Sequence, residues 1–270
     1  LRGHHFPRVL IDESTQSIEP STLLPIINGC SHLVLIGDHL QLPPTVISDD
    51  ARRLGLDRSL FARLAEPVNE ENGARSIVEP LLLNEQQRMH ASIAEFPNHH
   101  FYDGLVKDKV GSRPPIPGVQ FPQQDATRVL LVDCGAQGPT EEQFGTSWRN
   151  TVEVQALRDF VAHVLSSGSG STRHIQPALE PEQIVVLTPY LQQKELLQRV
   201  LAEAKLQVQV STVDGFQGAE ADLVLFSAVR ANLSGRLGFL RDTRRANVAM
   251  TRARRGLVVF ADAKTLREAK

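Results

Sequence analysis

IVVLTPYLQQKELLQRVLAEAKLQVQVSTV, residues 184–213, reads as strand, helix and strand. Ile184–Leu187 is a short apolar, β-branched run, 191–206 is a helix, and Val208–Val213 is a second strand. Such runs separated by one helix belong to parallel sheets covered on both faces. The alternation continues downstream with a strand at Leu223–Val229, a helix at 244–254 and a strand at Leu257–Phe260. Upstream, a strand at Val129–Val132 precedes a helix at 151–165, where Val152, Val154, Leu157, Phe160, Val161 and Val164 share one face. A shorter block opens the chain. Val9–Ile11 is a strand closed by Asp12 and Glu13, and 18–28 is a helix with Pro20 near its start and Asn28–Gly29 as its stop. Leu33–Ile36 is a strand closed by Gly37–Asp38, 57–65 is a helix, and Pro80–Leu83 is a third strand. The fold class is therefore α/β, with parallel sheets and flanking helices. Residues 1–84 form the tail of one domain and 85–270 a complete second one. The Pro-, Gly- and Gln-rich stretch 107–128 is a connection, and Ser166–Thr172 is a flexible loop.

With 270 residues, 41% apolar and 22% charged, the chain supports a sizeable core, which excludes disorder along its whole length. No run of 18 apolar residues exists, so no membrane partner is expected, and Leu1 opens no signal peptide. A chain without an initiating Met is expected to be a piece of a longer one. Cys30 and Cys134 are the only cysteines and make neither a disulfide framework nor a zinc site. That fits a reducing compartment, cytoplasmic or nuclear. The net charge of -2 exerts no general pull on nucleic acid. Arginine nevertheless dominates the basic residues, and eight arginines fall between Arg230 and Arg255 with Asp242 as the only acid among them. That run is either a local phosphate-binding surface or a solvated basic face.

Several segments carry chemistry-bearing residues. Asp12 and Glu13 stand at the C-terminal end of an apolar strand, where α/β proteins bind ligands. Such an Asp can hold magnesium, and a following Glu can position an attacking water. Gln16 follows, and Gly37-Asp38-His39-Leu40-Gln41 ends the next strand. Gln86-Gln87-Arg88-Met89-His90 places an arginine just before a helical segment at the domain junction. Ser211 to Glu220 offers hydroxyls and glycines after a strand, suited to phosphate, and ends in a glutamate that could accept a ribose hydroxyl. Asn247 to Arg255 lies on the predicted helix, where Arg252 neighbours Val248 and Ala249, and Arg255 neighbours Arg252.

In this order and spacing, the segments resemble the superfamily 1 helicases of the Upf and Sen group. VLIDEST with Gln16 resembles motif II, LIGDHLQLPP motif III, EQQRMH motif IV, STVDGFQGAE motif V and RRANVAMTRAR motif VI. Thr188-Pro189-Tyr190 resembles a nucleic-acid-contacting motif. The resemblance covers about Val9 to Ala263 and implies RecA-like domains. It implies ATP and Mg2+ as cofactors, with Asp12 on the metal and Glu13 activating water. Gln16 and Gln41 would lie near the terminal phosphate, Gln86 at the nucleotide, and Glu220 on the ribose. Arg88 and Arg252 would reach the γ-phosphate from the second domain. Pro189, Tyr190, Ser211 and Thr212 would lie along single-stranded RNA or DNA. ATP hydrolysis would need both domains, and the partner half of the nucleotide site would lie upstream in the same chain; an oligomer is not expected.

Two departures stand out. No glycine is followed by lysine, so the GK[ST] phosphate loop is absent from these 270 residues. Gln87 occupies a position where many relatives carry a base-stacking tyrosine. The missing loop keeps a second class open, a non-catalytic module that holds nucleic acid or a partner. A metal-dependent nuclease fits less well, because Asp12 and Glu13 have no further acid or histidine cluster at metal-ligand spacing.

Overall fold

The computed structural model describes residues 3–66, 77–123, 126–167 and 179–269. The chain divides into two compact units, Leu1–Leu83 and Asn84–Lys270. Among the described residues no helix is long and apolar enough to cross a membrane.

In the first unit, β1 (Arg8–Ile11) pairs in parallel with β2 (His32–Leu35), and α1 (Glu19–Ile26) makes the crossover. Pro20 sits in the first turn of α1, where a missing N–H costs nothing. Two short helices follow, α2 (Asp49–Arg53) and α3 (Leu60–Ala65), capped by the Ser48 and Ser59 hydroxyls. Residues 80–83, expected as a strand, are irregular, with Leu81 and Leu83 exposed. A strand exists through its pairing, and Pro80 withholds one of the N–H groups a ladder needs.

The second unit begins with β3 (Glu85–Gln86), α4 (Ala91–Phe101) and β4 (Lys107–Asp108), β3 and β4 pairing in parallel. Its centre is a five-stranded parallel sheet built from β5 (Val129–Asp133), β8 (Ile184–Thr188), β9 (Gln209–Thr212), β10 (Ala221–Ser227) and β11 (Ala253–Ala261), in the order β5-β11-β10-β8-β9. Between β5 and β8 lie a hairpin of β6 (Glu141–Phe144) and β7 (Ser147–Asn150) and the helix α5 (Thr151–Ser166). The other helices are α6 (Leu191–Glu203), α7 (Thr243–Met250) and α8 (Ala263–Arg267).

Every residue of β8 is buried, which is why it reads as an unbroken apolar run. Ile184 and Val186 pack with Val154, Leu157 and Val161 of α5 and Leu197 and Leu201 of α6. Val185 and Leu187 pack on the opposite face with Ile93 and Ala94 of α4 and with Phe216. Leu223 and Leu225 of β10 join the first layer, and Val224 joins the second. Asn150 starts α5, its Oδ1 accepting the N–H groups of Val152 and Glu153.

Three expectations change. The helix expected over 244–254 ends at Met250, and Ala253–Arg255 already belong to β11, so Arg254 and Arg255 lie on a strand. The Ala221 N–H bonds Arg252 O and draws that backbone into the sheet. The hairpin β6–β7 was unforeseen; its signal is the two-residue connection Gly145–Thr146, with Gly145 at φ 61. The stretch 107–128 is more than a connection, since Ile116 and Phe121 are buried against the α5–α6 layer. Of the loop expected at Ser166–Thr172, residues 168–172 lie outside the described residues.

Candidate functional site

β1 and β2 run parallel and end together, so their acidic tips open at the same edge. Asp12 Oδ1 accepts the Glu13 N–H at 2.9 Å, and both carboxylates are exposed. Glu13 lies at φ 48, a left-handed conformation that non-glycine residues adopt at a cost of about 1–3 kcal/mol and that gathers at functional sites. The next residue explains how the bend is held: Ser14 donates to Ile36 O through both its N–H and its hydroxyl, each at 2.8 Å. Gly37 lets the two loops meet, because a Cβ there would come within 2.8 Å of Thr15 Cγ2. Gln16 donates to Glu13 Oε2 at 2.7 Å and Gln41 to Asp38 Oδ2 at 2.8 Å. Each glutamine is thus tied to a carboxylate at the strand tips.

Hard carboxylate oxygens suit magnesium, which takes one or two of them together with substrate phosphates and water. Among the described residues there is no group of three or more His, Cys, Asp or Glu placed to hold a metal ion. The donor set at Asp12 fits a phosphate-assisted magnesium site and not an all-protein cage.

In the second unit, residues far apart in sequence meet where β10 and β11 begin. Arg88 Nε donates to Glu220 Oε2 at 2.5 Å, and Arg88 Nη1 donates to Thr251 O at 3.1 Å. Arg254 approaches the other Glu220 oxygen at 3.6 Å. Arg252 is only 3% exposed. Its guanidinium turns inward, donating to Val248 O at 3.0 Å and to Thr251 Oγ1 at 2.9 Å. Arg88, Glu220 and Arg252 are therefore neighbours around Thr251. Glu220, expected on a ribose, is here the partner of two arginines.

Gln86, expected at a nucleotide, is bonded to its own turn and to β4. Its Oε1 accepts the N–H groups of Arg88 and Met89, and its Nε2 donates to Met89 O and Asp108 Oδ1. The amide shapes the turn that presents Arg88. Gln87 lines a concavity of about 210 Å³ with Lys109, Ser112 and Arg113.

The four residues expected along a nucleic-acid strand share one edge, because Leu187 pairs with Ser211 and Thr188 with Thr212. They are not equally accessible. Pro189 and Thr212 are half-buried, Ser211 is buried, and Tyr190 is only 1% exposed. The Tyr190 side chain points into its own unit. Its hydroxyl accepts from Phe239 N at 3.3 Å and Arg230 Nη1 at 3.5 Å, and its ring meets Phe239 edge-on at 5.4 Å.

Sequence reasoning missed the groups beneath that edge. Arg230 grips Glu141 through two bonds of 2.9 and 3.0 Å and lies 4.4 Å over the Trp148 ring. Burial pushes the Glu141 carboxyl up, but bonds from Arg230, Asn232 and Ala231 outweigh it and hold Glu141 below the usual carboxylate range. The arginine run was the visible signal for Arg230; nothing in the sequence marked Glu141.

Gly238 closes this cluster. It lies at φ 57, and a Cβ would overlap Arg230 Nη1 and come within 2.6 Å of the Tyr190 hydroxyl. Gly238→Ala is expected to destabilise the protein by at least the ~1–2 kcal/mol of a left-handed L-residue. Urea denaturation monitored by circular dichroism measures this, and a midpoint equal to wild type would refute the close approach.

A family model described as "AAA domain" matches residues 56–264, and a second of the same description matches residues 1–49. The chain is 35% identical over 274 residues to a regulator of nonsense transcripts 1 homolog from Arabidopsis thaliana, covering 98% of this chain and 20% of that protein. It is 34% identical over 269 residues to the ATP-dependent helicase NAM7 of Saccharomyces cerevisiae, covering 97% and 26%. The DNA-binding protein SMUBP-2 of Mesocricetus auratus is 33% identical over 279 residues, covering 98% and 26%. The chain thus spans about a fifth to a quarter of the length of these relatives. Among solved structures, a PRRSV helicase superposes with a TM-score of 0.47 at 17% identity, covering 96% of this chain and 36% of that one.

Proposed function

Since the chain belongs to the AAA domain family, on the Upf-like branch of the superfamily 1 helicases, we propose that it is the motif II-to-VI portion of an ATP-driven translocase on single-stranded nucleic acid. The cluster of Arg88, Glu220, Thr251 and Arg252 carries this reading. It gathers cations and one carboxylate from three distant segments, as a nucleotide site requires, and hydrophobic packing alone gives no reason for it.

Each residue then has a task in phosphoryl transfer. Asp12 holds magnesium, which when bound neutralises phosphate charge. Glu13 orients the attacking water and receives its proton. Gln16 and Gln41 sense the terminal phosphate from the strand tips. Arg88 and Arg252 stabilise the charge that develops on the transferred group. Glu220 exchanges an arginine for a ribose hydroxyl when nucleotide arrives. Pro189, Ser211 and Thr212 supply the strand-facing edge, with Tyr190 supporting it from below. RNA is the first choice of substrate, because relatives named for nonsense transcripts match over nearly the whole chain. A nuclear or cytoplasmic site of action goes with that substrate.

The test is ATP hydrolysis by the full-length protein with and without poly(U). Stimulation by poly(U) supports the reading, and hydrolysis indifferent to any single-stranded nucleic acid defeats it. The 270 residues alone contain no GK[ST] loop, so purified by themselves they are expected to show no turnover above background. Magnesium-dependent hydrolysis by that segment would show that the phosphate lysine is dispensable.

A further inference from the structure

We propose that Glu153 is a positioning residue for the nucleic-acid edge of the second unit, its buried carboxyl holding the turn after β10 and the start of α6 in the arrangement that seats Pro189 and Tyr190. The inference rests on the translocase reading for its functional consequence. Its structural content stands on four side chains that are wholly out of solvent: Glu153, Ser227, Gln193 and Asn150.

Glu153 reaches from the first turn of α5 to the C-terminal end of β10. There it accepts the Ser227 hydroxyl at 2.5 Å and the Val229 N–H at 2.9 and 3.0 Å. Val229 lies at φ 70, where a β-branched residue is out of place. Its carbonyl accepts from Asn150 Nδ2 at 3.1 Å, so both its backbone polar groups are held from the α5 side. A strained backbone of this kind persists only when its surroundings over-determine it. Neither packing of the exposed surface nor catalysis accounts for the arrangement.

Two routes lead from the carboxyl to Tyr190. Along the first, the Ser227 hydroxyl accepts from Gln193 Nε2 at 2.9 Å, and Gln193 Oε1 accepts the Asn150 N–H at 2.8 Å. Gln193 lies in the first turn of α6, directly after Pro189 and Tyr190. Along the second, the bent Val229 delivers Arg230 to Glu141, Trp148 and the Tyr190 hydroxyl. One carboxyl therefore governs the tyrosine through its backbone and through its hydroxyl.

Burial favours the neutral form of the carboxyl. Burial pushes it up to about 8 against the pull of the Ser227 and Val229 donors, and Asp262 adds to the rise. Among the described residues, the ionisable groups that face it are Asp262 at the head of α8 and the Cys134 thiol after β5. Burial pushes that thiol up to about 12, so it stays neutral throughout. Asn150, Gln193 and Ser227, from β7, α6 and β10, are neutral. The sign follows: folding favours protonated Glu153, so its contribution is complete below the ordinary carboxylate range and lost as pH rises through about 8.

The experiment measures ATPase of the full-length protein against poly(U) concentration, from pH 6.5 to 9.5. Glu153→Ala is expected to raise the half-stimulating poly(U) concentration about tenfold or more at pH 7, with a much smaller change in the rate at saturation. Glu153→Gln, which keeps shape and neutrality, should stay near wild type at pH 7 and lose the weakening that wild type shows above pH 8. Amide hydrogen exchange should quicken at residues 227–232 and 190–193 in Glu153→Ala only. An unchanged poly(U) response in Glu153→Ala overturns the proposal. If that variant fails to fold, a wild-type pH profile in Glu153→Gln overturns it instead. A wild type that poly(U) does not stimulate overturns the translocase reading, whereas stimulation that ignores Glu153 overturns only this inference.

Discussion

Arg252→Ala in the full-length protein is expected to lower nucleic-acid-stimulated ATP hydrolysis by about 10³–10⁵, the range for arginines that meet the transferred phosphoryl group. The geometry makes this a demanding test. Arg252 is buried and bonded to Val248 O and the Thr251 hydroxyl, so the variant also loses packing. Arg252→Lys separates the two effects. It keeps charge and most of the stem, but it lacks the planar fork. If the fork acts on phosphate, Arg252→Lys remains near the alanine level while its melting temperature returns toward wild type. Wild-type turnover in either variant would leave Arg88 as the only arginine of the pair in the reaction. Arg88 is the more accessible of the two, and it is held by Glu220 and Thr251 O.

Glu13→Gln should bind ATP with near wild-type affinity and hydrolyse it about 10²–10⁴ times more slowly, the usual loss when a positioned general base is removed. The substitution leaves the left-handed bend at residue 13 undisturbed, since Ser14 and not the carboxylate anchors it. Asp12 keeps its bond from the residue 13 N–H. Fluorescent-nucleotide binding and phosphate release, measured on one preparation, check the two halves of the expectation. Hydrolysis that persists in this variant would assign the water to another group.

The parallel sheet was legible because its strands are covered on both faces and read as unbroken apolar runs, Ile184–Leu187 most plainly. The positions of the polar loops followed from the strand ends. The hairpin at Glu141–Asn150 was hidden, since its outer residues are polar and its pairing is local. The end of α7 was hidden for another reason. Ala253 to Arg255 suits a helix, and only pairing with a strand some thirty residues earlier commits it to β11. Tyr190 is expected beside a nucleic-acid strand from its motif alone, and its contacts with Arg230 and Phe239 leave no mark in the sequence. Nothing in the sequence marks Glu153 as a buried acid. Its burial depends on Ser227 and Val229, more than seventy residues away.

The alternation of β8 and β10 between two apolar layers also limits how this chain can vary in length. Adding or deleting one residue inside β8 would hand each following side chain to the opposite layer, exchanging partners on α5 and α6 for partners on α4. Indels are therefore barred from the central strands, where the two layers must keep their partners.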